Sequence, residues 1–129
     1  MQDAGRKVVF KGEGQLKAAI TDSPVDLRLH WNAASVIEFD FRMIKAPEEK
    51  VTMRVDCGWP CNGELNITDQ ITKPEFADGE WHKVKVPVKC FQADFSKVDA
   101  AFLFSASDMT ASFANIRWVP GETGNITCD

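Results

Sequence analysis

Apolar and polar residues alternate along much of this chain. Ile37, Phe39, Phe41 and Met43 share one phase, with Glu38, Asp40 and Arg42 in the other. Val51, Met53, Val55 and Cys57 alternate with Thr52, Arg54 and Asp56, and Val84, Val86 and Val88 with Lys83, Lys85 and Pro87. Leu27, Leu29 and Trp31 alternate with Arg28 and His30, and a last run from Phe113 to Val119 holds Ile116 and Trp118 in one phase. A period of two puts successive side chains on opposite sides of a strand, so each run predicts a strand with one dry and one wet face. Turn-forming clusters separate the runs: Asp22-Ser23-Pro24, Lys45-Ala46-Pro47, Gly58-Trp59-Pro60 and Ala77-Asp78-Gly79. Only short helical turns are expected, at Thr68–Ile71 and Ala93–Val98. Together these features predict an all-β chain, an antiparallel β-sandwich of the jelly-roll kind.

A length of 129 residues fits one domain with a real core. We place that core at residues 10–119 and read 120–129 as a Gly-rich tail. The opening residues Met1-Gln2-Asp3-Ala4-Gly5-Arg6 hold no apolar signal-peptide core, which leaves a cytosolic chain, a mature form or, as the favoured reading, a piece cut from a larger protein. The formal net charge is -4, and Arg28, Arg42, Lys45, Arg54, Lys83 and Lys85 are scattered. No nucleic-acid partner is expected without a basic stripe, and no membrane span without an apolar run of about 18 residues.

The four cysteines, Cys57, Cys61, Cys90 and Cys128, allow three pairings. Cys57 and Cys61 flank a tight loop able to close on itself, which would leave Cys90 to tie down the tail through Cys128. Pairings of Cys61 with Cys90 or Cys128 remain open. The even count suits an oxidising compartment, periplasmic or secreted. Zinc is disfavoured, because only one close ligand pair exists and His30 and His82 lie far apart. A structural calcium could draw on Asp22, Asp40 or Asp78, although no ligand string marks a site.

Catalysis finds no support. Asp56, Glu64, Asp69, Glu75 and Glu80 sit in no motif, whereas glycoside hydrolysis needs a matched carboxylate pair. The aromatic residues are more informative, with four Trp, nine Phe and no Tyr. Sugar rings present apolar faces that stack on indole. Trp59, held between Gly58 and Pro60, is the leading platform candidate, with Arg54, Asn62 and Glu64 nearby to meet hydroxyls. Trp31 shares the Leu27–Leu29 phase and is a core residue with a rim role open to it. Trp118 reads as core and Trp81 as a structural anchor near a sheet edge. Two sequons, Asn66-Ile67-Thr68 and Asn125-Ile126-Thr127, would accept glycans only in a eukaryotic secretory pathway.

Two segments carry a resemblance. The first runs Asp56-Cys57-Gly58-Trp59-Pro60-Cys61-Asn62-Gly63-Glu64-Leu65-Asn66-Ile67-Thr68, the second Gly79-Glu80-Trp81-His82-Lys83-Val84-Lys85-Val86-Pro87-Val88-Lys89-Cys90-Phe91. Together they resemble the extra C-terminal, galactose-binding-like domain of bacterial family 3 glycoside hydrolases, exo-1,3/1,4-β-glucanases and β-glucosidases. The resemblance covers about Val25 to Val119, and Cys128 is not part of its pattern. It implies a non-catalytic accessory domain of an exported retaining exo-hydrolase, whose catalytic residues lie in preceding domains. The implied partners are β-glucan or oligosaccharide and the parent's catalytic domains. A purely structural role, bracing those domains or shaping the active-site entrance, is the alternative.

Overall fold

The computed structural model describes residues 6–10, 13–19, 26–58, 60–121 and 123–128. Among them lie eight strands: β1 (Arg6–Val9), β2 (Glu13–Ala19), β3 (Val36–Lys45), β4 (Thr52–Asp56), β5 (Asn62–Asn66), β6 (His82–Pro87), β7 (Ala100–Ser107) and β8 (Thr110–Val119). Two short helices, α1 (Arg28–Asn32) and α2 (Thr68–Ile71), and a 3-10 turn at Val88–Cys90 complete the elements. The strands form two four-stranded antiparallel sheets, ordered β1-β8-β3-β6 and β2-β7-β4-β5. This is the strand order of a jelly roll.

The expected strands at 37–43, 51–57, 83–88 and 113–119 are present, with shifted ends. The expected strand at 27–31 is a correction: Arg28–Asn32 is helical and Leu29 is 81% exposed. Five residues cannot distinguish a short strand from one and a half helical turns by periodicity. The helical turn at Thr68–Ile71 forms as expected, while residues 93–98 hold bends and turns instead.

The core lies between the sheets. Phe39, Phe41 and Phe113 from one sheet meet Phe102 and Phe104 from the other, with ring centroids 4.9 Å apart for Phe104 and Phe113 and 5.4 Å for Phe39 and Phe102. Phe10 closes one end of this cluster. One strand breaks its own alternation. β8 carries a bulge in which Asn115 and Ile116 together oppose Phe39, since Ala114 pairs with Asp40 and Arg117 with Glu38. Asn115 takes the left-handed conformation there (φ 53°), which Asn tolerates better than most residues. The extra residue switches phase. Phe113 before it and Trp118 after it both face the core, and Ile116 is left 37% exposed.

On the outer face of the β1-β8-β3-β6 sheet the central strand is acidic and its neighbours are basic. Glu38 is buried and receives Arg117, Lys85 and Lys83. Asp40 receives Lys83 at 3.2 Å and the Asn115 amide at 2.7 Å. Burial alone would raise the Asp40 pKa, but the hydrogen bonds from Asn115 and Lys83 outweigh it and hold the carboxyl below its ordinary value.

The tail is fastened across the gap between the β6 and β5 edges. Asn125 uses its side-chain amide as a substitute strand: its oxygen accepts from the Lys85 backbone N–H and its nitrogen donates to the Lys83 carbonyl. Ile126 is buried, Gln70 of α2 bonds the Thr127 backbone on both sides, and Cys128 is disulfide-bonded to Cys90. The β6 edge is thereby denied to other chains.

Two outcomes are expected. Cys128→Ser should lower stability by about 3–4 kcal/mol through the freed 38-residue separation, read from the urea midpoint; an unchanged midpoint would mean the tail holds by its other contacts alone. Because Asp40 is depressed in the fold, its contribution is complete above the ordinary carboxylate value near 3.8 and is lost as pH falls below it. Asp40→Asn should therefore cost about 1 kcal/mol at pH 7 and progressively less below about pH 4, checked by thermal melts across pH. A gap that stays constant with pH would contradict this.

Candidate functional site

The β2-β7-β4-β5 sheet turns Met53, Val55, Phe102 and Phe104 inward. The alternation that buries them aims Thr52, Arg54 and Asp56 of β4 at the open face. Cross-strand register adds Glu64 and Asn62 of β5, opposite Arg54 and Asp56, and Leu103 and Ser105 of β7, opposite Arg54 and Thr52. Gln15 of β2 pairs with Ser105. Of these groups Gln15, Thr52, Arg54, Glu64 and Ser105 line a hollow of about 270 Å³, bounded also by Glu49, Lys50 and Ser107; Asp56, Asn62 and Leu103 share the face beside it.

Its floor is sunk rather than flat. Thr52 and Ser107 of its lining are buried despite facing outward, and beside it Asp56 is buried and Leu103 is 1% exposed. Arg54 donates through Nε to Asp56 Oδ1 at 2.7 Å and through Nη2 to Oδ2 at 3.4 Å. A guanidinium fork locked on a carboxylate is a rigid array of donors beside acceptors, suited to the vicinal hydroxyls of a sugar. Ser107 Oγ donates to Glu49 Oε2 at 3.4 Å on the rim.

Sequence reasoning placed Arg54, Asn62 and Glu64 together, and they do share this face, although Asn62 spends its amide on the Pro60 carbonyl. It missed Thr52, Ser105 and Gln15. Ser105 and Gln15 come from distant segments whose strands carry no clean alternation.

The β4–β5 connection is closed by a disulfide between Cys57 and Cys61. Gly58 N–H donates to Asp99 and the buried Cys57 sulfur accepts from the Asp94 N–H. Gly63 sits so close to Phe91 and Gln92 that a Cβ would meet the Gln92 nitrogen at 2.6 Å. Trp59 itself lies outside the described residues. Trp31 is on α1 rather than on a strand, and its side chain is likewise not described. Trp118 is half-buried, touches Phe95 and His30, and donates Nε1–H to the Ala101 carbonyl, linking the two sheets. Trp81 does lead the edge strand β6, but it is 44% exposed, because it is out of phase with Val84 and Val86.

The Exop_C family profile, described as galactose-binding domain-like, matches residues 1–118. The chain belongs to that family. The crystal structure of the extra C-terminal domain of the exo-1,3/1,4-β-glucanase ExoP from a Pseudoalteromonas species is similar, with 18% identity and a TM-score of 0.73. The match covers 95% of this chain and 66% of that one. The crystal structure of exo-1,3/1,4-β-glucanase from the same organism matches with 18% identity and TM-score 0.73, covering 93% of this chain and 14% of that one. A family 30 carbohydrate-binding module of the cellulosomal cellulase Cel9D-Cel44B of Clostridium thermocellum matches with 16% identity and TM-score 0.68, covering 92% of this chain and 76% of that one. At such identities the likeness is one of fold. No curated protein matches the chain.

The Exop_C match ends before the tail, so Cys128 and Asn125 lie beyond the matched region. Of the acids considered for calcium, Asp22 lies outside the described residues. Asp40 holds Asn115 and Lys83, and Asp78 holds His82 at 2.6 Å and the Glu80 N–H. Among the described residues no group of three or more His, Cys, Asp or Glu gathers to hold a metal, and no helix is long and apolar enough to cross a membrane.

Asp56→Ala in this Exop_C domain would leave the half-buried Arg54 without its carboxylate, at an expected loss of about 1–3 kcal/mol. Chemical denaturation checks this, and an unaltered midpoint would mean that the pair serves only the open face.

Proposed function

We propose that this domain is a carbohydrate-binding accessory module of an exported β-glucan-degrading enzyme, a family 3 glycoside hydrolase in the parent chain. The sunken polar hollow lined by Thr52, Arg54, Glu64 and Ser105, with Arg54 held by Asp56, carries this reading. A rigid, half-buried set of donors and acceptors on an otherwise open sheet face fits hydroxyl-rich, uncharged ligands. Family membership supports it, as do the folds shared with a glucanase domain and with carbohydrate-binding modules. In this reading Arg54, Asn62 and Glu64 meet hydroxyls, and Trp59, in the connection beside them, supplies the stacking platform, with Trp31 at the rim. Chemistry takes place on the parent's catalytic domains, and the module raises the local concentration of substrate there. Two disulfides fit a periplasmic or secreted setting.

A bracing role is the second reading, favoured by one observation. Leu29 stands 81% exposed on α1, as an apolar group would if it met a neighbouring domain.

Titrating the domain with laminarin and mixed-linkage glucan, followed by tryptophan fluorescence and calorimetry, separates the two. Saturable binding is expected, about tenfold or more weaker in Arg54→Ala and in Trp59→Ala. No heat and no spectral change at millimolar oligosaccharide would leave bracing as the better account.

A further inference from the structure

The opposite face of the sandwich has a different character. On the outer side of the β1-β8-β3-β6 sheet lie Lys7, Arg42, Lys45, Lys83, Lys85 and Arg117 against Glu38 and Asp40. That leaves a surplus of four positive charges on one face of a chain whose formal net charge is -4. The two acids, already counted in that balance, pair with Lys83, Lys85 and Arg117 and lie deeper than they do. The Glu38 side chain is 4% exposed and that of Asp40 17%, whereas those of Lys83 and Arg117 are 44% and 43% exposed. The carboxylates lie beneath the cations and hold them in place.

Register arranges part of this surface as a row. Lys7 pairs with Ser112 and Ser112 with Arg42. Trp81 stands one residue before His82, the partner of Phe41, which sets it at the level of Arg42. At about 4.8 Å per strand, cation, hydroxyl, cation and indole span about 14 Å, the length of a short oligosaccharide. Arg42 is anchored by its Nε bond to the Gly79 carbonyl at 2.7 Å, and Trp81 is 44% exposed. Glu80 and Asp78 flank the Trp81 end, so the positive surface is centred over β8 and β3.

We propose that this face is a second carbohydrate site, selective for anionic polysaccharide. Trp81 stacks on a ring face, and Arg42 and Lys7, backed by Lys83 and Arg117, take acidic substituents. The shared chemistry is a hexopyranose chain bearing carboxylate or sulfate. An aromatic in one row with two cations fits this better than a neutral glucan, which gains nothing from the surplus charge, and the site is independent of the hollow around Arg54.

The test is native affinity electrophoresis of the full chain in gels containing polygalacturonate, κ-carrageenan or laminarin. Retardation is expected in at least one anionic gel, weakening as salt rises. Which gel retards identifies carboxylate or sulfate as the group taken. Arg42→Gln and Trp81→Ala, checked for folding by circular dichroism, should each weaken it about tenfold, with laminarin binding unchanged in Arg42→Gln. No retardation in either anionic gel overturns the proposal, as does retardation indifferent to both substitutions. A dimer seen by sedimentation and lost in Trp81→Ala would also overturn it, making the face a protein interface. Anionic binding without laminarin binding would sink only the neutral-glucan reading of the other face.

Discussion

The packing of phenylalanines between the sheets is the constraint on which the rest depends. Phe104 touches Phe10, Phe39, Phe41, Phe102 and Phe113, so one ring ties residues of both sheets together. With a period of two, fixing those rings inward fixes every intervening side chain outward, and a slip of one residue would turn both outer faces into the core. Neither Arg54 on one face nor Arg42 on the other is held by local preference. Each is aimed by the apolar residues on either side of it.

Where strands have one dry and one wet face, the sequence shows them. Glu38, Asp40 and Arg42 between Ile37, Phe39, Phe41 and Met43 left no doubt about β3, and the same holds for β4 and β6. β7 was not legible, because Leu103 in its outward phase is apolar and as buried as Phe102 and Phe104 beside it, and an apolar residue in the polar phase erases the alternation. β5 is short and passes through Gly63, where the neighbouring chain leaves no room for a side chain. α1 misled because Leu27, Leu29 and Trp31 mimic a strand over too short a stretch.

The candidate site was legible in part for the same reason. Arg54, Asn62 and Glu64 lie in one hairpin, so their common face could be read from spacing. Ser105 and Gln15 join it only through pairing across the sheet, which one sequence does not display. The bulge at Asn115 is a further case: it let Trp118 face the core while leaving Ile116 outside, where a simple period of two would put both together.

The docking of Asn125 has a consequence for where this chain can be made. Its Nδ2, the atom to which an N-linked glycan would attach, is already spent on the Lys83 carbonyl, although Asn125-Ile126-Thr127 satisfies the acceptor pattern. A glycosylated nitrogen would keep one N–H, but the sugar on it would stand against the β6 edge on which Asn125 docks. In a glycosylating host, the transferase could reach this nitrogen only before the tail docks on the β6 edge. A chain modified first would carry its sugar where the edge should be closed, leaving the tail fastened only from Ile126 onward.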